Sequence, residues 1–124
     1  MPEVTGPFDV SLEPQPDPEA PAGRMIIRKR YSGAIEGTAN GQMISHQVEG
    51  GVAIYFAIET FEGSVDGREG GFLLAHRGVM SADRRELDIH VIDGTGTGAL
   101  EGISGRMDIS QAGGEHHYTF DYTL

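Results

Sequence analysis

The stretch that decides the fold is Asp93-Gly94-Thr95-Gly96-Thr97-Gly98-Ala99-Leu100-Glu101-Gly102-Ile103-Ser104-Gly105. Residues 94–99 nominally satisfy the dinucleotide-binding pattern G-x-G-x-x-A. That pattern holds a pyrophosphate only when a helix follows it, because the N–H groups at the helix N-terminus bind the phosphates. Here Gly102 and Gly105 oppose a helix, and the alternating residues 106–109 that come next predict a strand. We therefore interpret the stretch as a corner at which a strand bends and re-enters a sheet.

Composition restricts the class of protein. The 124 residues predict a single domain spanning 1–124, and the 19 glycines favour many tight turns over a helical bundle. The chain has no cysteine, which excludes disulfides and a thiolate nucleophile. A net charge of −10 argues against nucleic-acid binding, since that class needs a basic surface. The basic group formed by Arg24, Arg28, Lys29 and Arg30 is interpreted as a solvated strand face.

The chain also shows no targeting or membrane signal. No signal-peptide core follows Met1, and no run approaches the roughly 20 apolar residues that span a bilayer. We expect a cytoplasmic protein with no membrane partner.

Strand-like segments follow one another along the chain with glycines between them. Four prolines predict a loop over about 13–23, and proline is absent from 22–124, as a continuous hydrogen-bonded sheet requires. The predicted strands are 8–12, 25–37, 42–48, 52–60, 72–79, 87–91, 100–109 and 116–124. Such strands can close into a barrel that has no exposed edges. We predict an all-β fold, a closed antiparallel barrel of about eight strands with the shape of lipocalins and streptavidin.

Two carboxylates are candidates for acid–base chemistry. Glu36 and Glu59 each follow an apolar run within a predicted strand. A carboxylate inside a barrel would be desolvated, which would raise its pKa and suit it to proton transfer. The alternative is a charge at a strand end that meets water or pairs with Arg68 or Arg77. Both interpretations stay open.

The histidines do not form a recognisable metal site. His116 and His117 are adjacent and point to opposite faces of a strand, so they cannot both bind one ion. A cross-strand site of His76 with His117 and a carboxylate stays open, but hydrogen-bonded or exposed histidines are the main expectation. We predict no metal and no cofactor. The serines lie in no nucleophile elbow, so a serine hydrolase is not supported.

An ordered set of motifs resembles one bacterial family. The motifs are Tyr31-Ser32-Gly33-Ala34-Ile35-Glu36-Gly37-Thr38, the run Gly70-Gly71-Phe72-x-Leu74-x-His76, the glycine stretch at 94–105, and the closing His117-Tyr118-x-Phe120-x-Tyr122. The family is a domain of unknown function whose members resemble the allene oxide cyclase barrel. The resemblance implies a closed barrel, commonly oligomeric, with no assigned activity. The plant cyclases of this fold bind an unstable fatty-acid epoxide and steer its ring closure largely by confinement.

The leading functional hypothesis is a barrel that binds an apolar small molecule in its interior. The candidate lining residues are Tyr55, Glu59, His117 and Tyr118, of which the adjacent last two cannot both point inward. The alternative is a cyclase or isomerase in which Glu36 or His76 supplies acid–base chemistry. A second alternative is a structural oligomer whose barrel is filled by its own side chains. A homo-oligomer is the partner that the resemblance implies.

Overall fold

The barrel predicted from the sequence is confirmed. The computed structural model describes residues 2–48 and 50–124, apart from the side chain of residue 112. Within these residues the strands are β1 (Glu3–Pro14), β2 (Gly23–Tyr31), β3 (Ile35–Gln47), β4 (Ala53–Val65), β5 (Arg68–Ser81), β6 (Arg84–Val91), β7 (Thr97–Gly98), β8 (Ser104–Ala112) and β9 (Glu115–Thr123). Neighbours follow the order β4-β3-β2-β1-β9-β8-β6-β5, and β5 also pairs with β4. Eight antiparallel strands therefore close on themselves, and β7 is a two-residue addition to β5.

Among the described residues, no helix has the length and the apolar composition needed to cross a membrane.

One predicted strand is wrong. Residues 25–37 form a hairpin, in which β2 ends at Tyr31 and β3 begins at Ile35. Gly33 takes a φ of 92° in the turn, a conformation that glycine adopts without a steric penalty. The predicted strand over 42–48 is consequently the second half of β3, and β8 begins at Ser104 instead of Leu100.

The two ends of the barrel differ. The β1–β2, β3–β4, β5–β6 and β8–β9 connections lie at one end, which we call the hairpin end. At the other end, residues 92–103 leave the sheet after β6, pair through β7 with Gly70 and Gly71, and return as β8. Leu100 and Ile103 of this segment are fully buried in the core. The glycine stretch is therefore architectural, as predicted, but it plugs one end of the barrel instead of only bending a strand.

Aromatic side chains fill the plugged half. They are Tyr31, Phe61, Phe72, Tyr118, Phe120 and Tyr122. Phe72 contacts Phe61 with ring centroids 4.9 Å apart and stacks on Phe120 at 5.8 Å. Offset and edge contacts of this kind stabilise a core beyond the area that they bury. This half of the barrel is thus packed with its own side chains.

Tyr118 fastens the β2–β3 turn to the core. Its hydroxyl accepts a hydrogen bond from the backbone N–H of Ile35 at 2.9 Å and donates one to the carbonyl oxygen of Ser32 at 2.7 Å. Without the hydroxyl, the buried Ile35 N–H would lack this partner.

We expect Tyr118→Phe to lower the free energy of unfolding by about 1–3 kcal/mol, because a buried donor loses its acceptor. Urea unfolding measures the loss, and amide hydrogen exchange at Ile35 should become faster. The amide of Ile89 in β6 is the internal control. Its exchange should become faster only by the amount that the loss of global stability explains. Unchanged stability together with unchanged exchange at Ile35 would contradict the role of this hydroxyl.

Candidate functional site

Charged and titratable side chains are buried inside the barrel. Among the described residues, Lys29 is 7% exposed, Glu59 0% and His76 5%. Each occupies an inward position of its strand, with apolar or small residues two positions to either side. Burial of ionised groups costs several kcal/mol per ion unless each is paired, so these three side chains identify the candidate site.

Small residues on β3 let Lys29 and Glu59 meet. Lys29 of β2 pairs with Ala39 of β3, and Glu59 of β4 pairs with Gly41. A Cβ at Gly41 would lie 3.0 Å from the Cα of Glu59. Because Ala39 and Gly41 occupy little space above β3, the two long side chains contact each other across it.

Glu59 is saturated with partners. Its Oε1 lies 2.9 Å from Lys29 Nζ and 3.0 Å from His76 Nε2. Its Oε2 accepts a hydrogen bond from the hydroxyl of Tyr31. The ammonium of Lys29 also lies 5.1 Å from the centre of the Phe8 ring, within the range of a cation–π contact. Both charges are thereby compensated inside the barrel.

The pKa of Glu59 is lowered, not raised. Burial by itself would raise it, but the hydrogen bond from His76 and the positive charge of Lys29 outweigh burial and lower the pKa to about 2. The expectation of a raised pKa at this position is therefore wrong, as is the pairing with Arg68 or Arg77, since the cation is Lys29. Glu59 is an ionised acceptor and orients its neighbours.

The two phenols near the carboxylate stay protonated. Burial and the charge of Glu59 raise the pKa of Tyr31 well above its usual value. The same two causes raise the pKa of Tyr55 to about 12. At neutral pH both hydroxyls are hydrogen-bond donors.

A chain of hydrogen bonds runs from Glu59 toward the hairpin end. The ionised carboxylate only accepts, so Nε2 of His76 carries the hydrogen that it receives. In the tautomer that carries its hydrogen on Nε2, Nδ1 of His76 accepts from the hydroxyl of Tyr55, 3.4 Å away. The Tyr55 ring lies over Gly78, where a Cβ would come within 2.7 Å of Tyr55 Cδ1. Because Gly78 has no side chain, the Tyr55 ring can pack against the barrel wall at this position.

The interior beyond Tyr55 is mainly apolar and reached by solvent, with the cation of Arg85 at an inward position of β6. Inward positions toward the hairpin end carry half-buried side chains, namely Val10, Met25, Met43, Tyr55, Leu87, Ile109 and His116. Leu12, at an inward position of β1 near the hairpin end, is 51% exposed. Inward side chains that solvent reaches indicate an open mouth, which we define as this half of the barrel interior.

The structure brings together some of the predicted site residues and separates others. Tyr55, Glu59 and His76 form the connected chain just described. Glu36 is exposed on the outer face of β3, so its expected place inside the barrel is wrong. Strand alternation requires this, because Ile35 occupies the adjacent inward position.

His117 and Tyr118 face opposite sides, as predicted. The side chain of His117 is 43% exposed on the outer wall, with Nε2 3.5 Å from Glu115 Oε2. Tyr118 points inward but into the plugged half, where its hydroxyl is engaged by backbone groups. His76 and His117 therefore lie on opposite sides of the wall and cannot share an ion. Residues 2–48 and 50–124 contain no group of three or more metal-ligating side chains.

Comparison with known proteins assigns a family. Residues 4–122 match the family described as "Protein of unknown function (DUF3224)". The chain belongs to this family. A crystal structure of a DUF3224 protein of unknown function from Shewanella oneidensis MR-1, at 1.84 Å, is 37% identical and superposes with a TM-score of 0.93. The match covers 100% of this chain and 97% of that one. A search of curated proteins gives no match.

The comparison confirms the resemblance to a bacterial family of unknown function, since that structure comes from the same DUF3224 family. The further likeness to allene oxide cyclases is not confirmed and stays a prediction.

Two site residues of this DUF3224 chain escaped the sequence analysis. Lys29 was grouped with exposed arginines, and Tyr31 was assigned no role, yet both contact Glu59. A signal was present, because Ile27, Lys29 and Tyr31 alternate with Arg28 and Arg30. The apolar residues on either side of Lys29 place it on the inward face of β2.

Proposed function

We propose that this DUF3224 protein binds an apolar small molecule in the mouth of the barrel. The observation that carries the proposal is the chain Tyr55–His76–Glu59, which ends beneath an apolar interior open to solvent. Apolar concave sites with a few convergent polar groups are the usual form of small-molecule sites. Buried titratable groups with shifted pKa values add support, because a purely structural core is served as well by apolar residues.

The polar groups indicate what the ligand carries. Glu59 and Lys29 neutralise each other, so the mouth presents little net charge from this pair. When a ligand binds, the single hydrogen of the Tyr55 hydroxyl turns from Nδ1 of His76 to the ligand, and its pKa of about 12 keeps the hydroxyl protonated at any physiological pH. The best-matched ligand is therefore an apolar molecule with an oxygen that accepts a hydrogen bond, such as a carbonyl or epoxide oxygen.

A titration with a panel of long-chain ketones, epoxides and terpenoid carbonyls, followed by native mass spectrometry, tests the proposal. We expect Leu87→Arg to abolish retention, because the new cation enters the apolar mouth. Tyr55→Phe should weaken binding about fivefold to tenfold, the equivalent of one hydrogen bond. Ser110→Arg, an exposed position on the outer wall of β8, is the matched control and should bind normally. No retained ligand, or equal binding by Leu87→Arg, would refute the proposal.

The same chain favours a second candidate, a cyclase or isomerase that acts by confinement. An ionised carboxylate that orients a histidine, which in turn contacts a hydroxyl, is an arrangement that supports acid–base chemistry. Tyr55 would donate to the substrate oxygen as negative charge develops there, and Nδ1 of His76 would accept a proton from the substrate carbon. His76→Gln would then abolish turnover with ligand retention intact. Glu36→Gln, on the outer wall, should leave turnover unchanged.

A further inference from the structure

The mouth of the barrel holds a cation at its rim. Arg85 occupies an inward position of β6, one inward step closer to the hairpin end than Leu87. Among the described residues, it is the only lysine or arginine at an inward position of the mouth, and no aspartate or glutamate occupies one. Deeper in the barrel, Lys29 and Glu59 compensate each other. The rim therefore carries a positive charge that no carboxylate inside the mouth neutralises.

The strands β6 and β8 pair along only part of their length. The pairing is limited to residues 89–90 of β6 and 106–107 of β8, although both strands continue toward the hairpin end. Beyond these pairs, the backbone of Ile109 bonds to side chains. Its N–H donates to Asp108 Oδ1 at 2.9 Å, and its carbonyl oxygen accepts from Arg85 Nη2 at 2.7 Å. The second hydrogen bond holds the guanidinium of Arg85 at the opening between the two strands.

The guanidinium keeps donors for a further partner. A guanidinium has several N–H donors in a fixed plane, and within the part of the chain that the structure describes one of them is engaged, by Ile109. Asp108 Oδ1 lies 3.8 Å away, on a side chain that is 69% exposed, and it already accepts the N–H of Ile109. An exposed ion pair at this distance contributes little. The side chain of Arg85 is 51% exposed, so a ligand in the mouth can reach its other donors.

Arg85 and Tyr55 act on the same space. Tyr55 and Leu87 both pair with Gly78, so Arg85 lies one inward position, about 7 Å along the strand, nearer the rim than the Tyr55 rung. Burial and then Glu59 raise the pKa of Tyr55, whereas the charge of Arg85 acts in the opposite direction and lowers it. One ligand can therefore contact the guanidinium with one end and the phenol hydroxyl with a group deeper in the mouth.

We infer that the mouth selects an apolar ligand that carries a carboxylate, and that Arg85 determines this specificity by binding the carboxylate at the rim. The inference rests on the proposed function, to which it adds the charge of the ligand. The planar fork of a guanidinium matches a carboxylate with two parallel hydrogen bonds. One cation balances one negative charge, whereas a phosphate dianion would leave an uncompensated charge. The chain has a net charge of −10 and repels anions as a whole, so a preference for an anionic ligand must come from a local cation.

Two fluorescent probes with the same rings test the inference on the full chain. The anionic probe is 8-anilinonaphthalene-1-sulfonate, and the neutral probe, N-phenyl-1-naphthylamine, lacks only the sulfonate. The preference is the Kd of the neutral probe divided by that of the anionic probe. We expect Arg85→Gln to lower the preference about tenfold, the effect of one charge-assisted hydrogen bond at a half-exposed site. A general loss of packing would weaken both probes and leave the preference unchanged.

Two variants separate charge from structure. Arg85→Lys keeps the charge but loses the planar fork, so it should retain part of the preference. Arg84→Gln removes the same charge from the adjacent outward position of β6, where Arg84 lies 3.2 Å from Glu86, and should leave the preference unchanged. Added salt should weaken binding of the anionic probe and not of the neutral one, because the cation is exposed at the rim.

The outcomes distinguish this inference from the proposed function. If neither probe binds the wild type, the proposed function fails and the inference fails with it. If both probes bind and Arg85→Gln has the same preference as the wild type, the inference alone is overturned. Competition against the anionic probe identifies the charged group, and 2-naphthoate should displace it at lower concentration than 2-naphthyl phosphate. The reverse order would overturn the assignment of a carboxylate.

Discussion

Replacing Glu59 by glutamine is expected to lower the free energy of unfolding by about 3–5 kcal/mol, the usual effect of removing one partner from a buried ion pair. Glutamine keeps the size of the side chain but leaves the ammonium of Lys29, whose side chain is 5% exposed, without its counter-ion. The amide cannot accept from Lys29, His76 and Tyr31 as well as two ionised oxygens do. Urea unfolding measures the loss.

The control for this prediction lies on the same strand. Glu62→Gln removes an identical charge from the outer face of β4 and should change stability by less than about 0.5 kcal/mol. The double variant Glu59→Gln with Lys29→Met should recover most of the loss, since it removes the orphaned cation. If instead the two single losses add in the double variant, Lys29 and Glu59 are not energetically coupled.

The same carboxylate makes stability depend on pH in a defined window. The pKa of Glu59 is about 2 in the folded protein and 4.5 in its unperturbed state, so the unfolded chain binds the proton first as pH falls. The stabilisation is complete above about pH 4.5 and declines as pH falls toward 2, by about 3 kcal/mol in total. Glu59→Gln should lack this component, while all other carboxylates contribute to both proteins. The measurement is the difference between the two pH profiles.

Much of the fold could be predicted because strand alternation and glycine position are local signals. The closed barrel follows from repeated alternating segments and from the lack of proline after Pro21. The error at 25–37 arose because Ser32-Gly33-Ala34 is short and both flanking strands are apolar on one face. Nothing within that window distinguishes a hairpin from one long strand with a glycine. Pairing with distant strands decides it.

The candidate site was only partly predictable for a physical reason. His76, Glu59 and Tyr55 lie on two paired strands, and each attracts attention as a polar residue among apolar ones. Lys29 comes from a strand on the other side of β3, and its contact with Glu59 depends on the small residues Ala39 and Gly41 between them. Whether the pKa of Glu59 is raised or lowered depends on that contact with Lys29. The residue pattern of a single strand does not reveal a contact between two strands.

The glycine stretch at 94–105 is tested by substituting one of its glycines. Gly98→Val is expected to lower the free energy of unfolding by about 3 kcal/mol or more, because two penalties combine. Gly98 has a φ of +62°, which a β-branched residue rarely adopts, and a Cβ there would lie 2.8 Å from the backbone oxygen of Glu69. Rotation of the side chain cannot relieve a contact with the Cβ itself.

Gly102→Val separates the two penalties. Gly102 has a φ of +87°, but its Cβ would meet nothing within 4 Å, so this variant keeps the backbone strain and lacks the clash. Its loss should be about 1–2 kcal/mol, smaller than that of Gly98→Val, in the same urea titration. Equal losses would show that the close approach of the plug to β5 contributes nothing. Because these glycines act through packing, we expect the segment to bind no nucleotide in any of the three proteins. If the wild type bound a nucleotide specifically and a folded Gly98→Val protein did not, the architectural role of this segment would be contradicted.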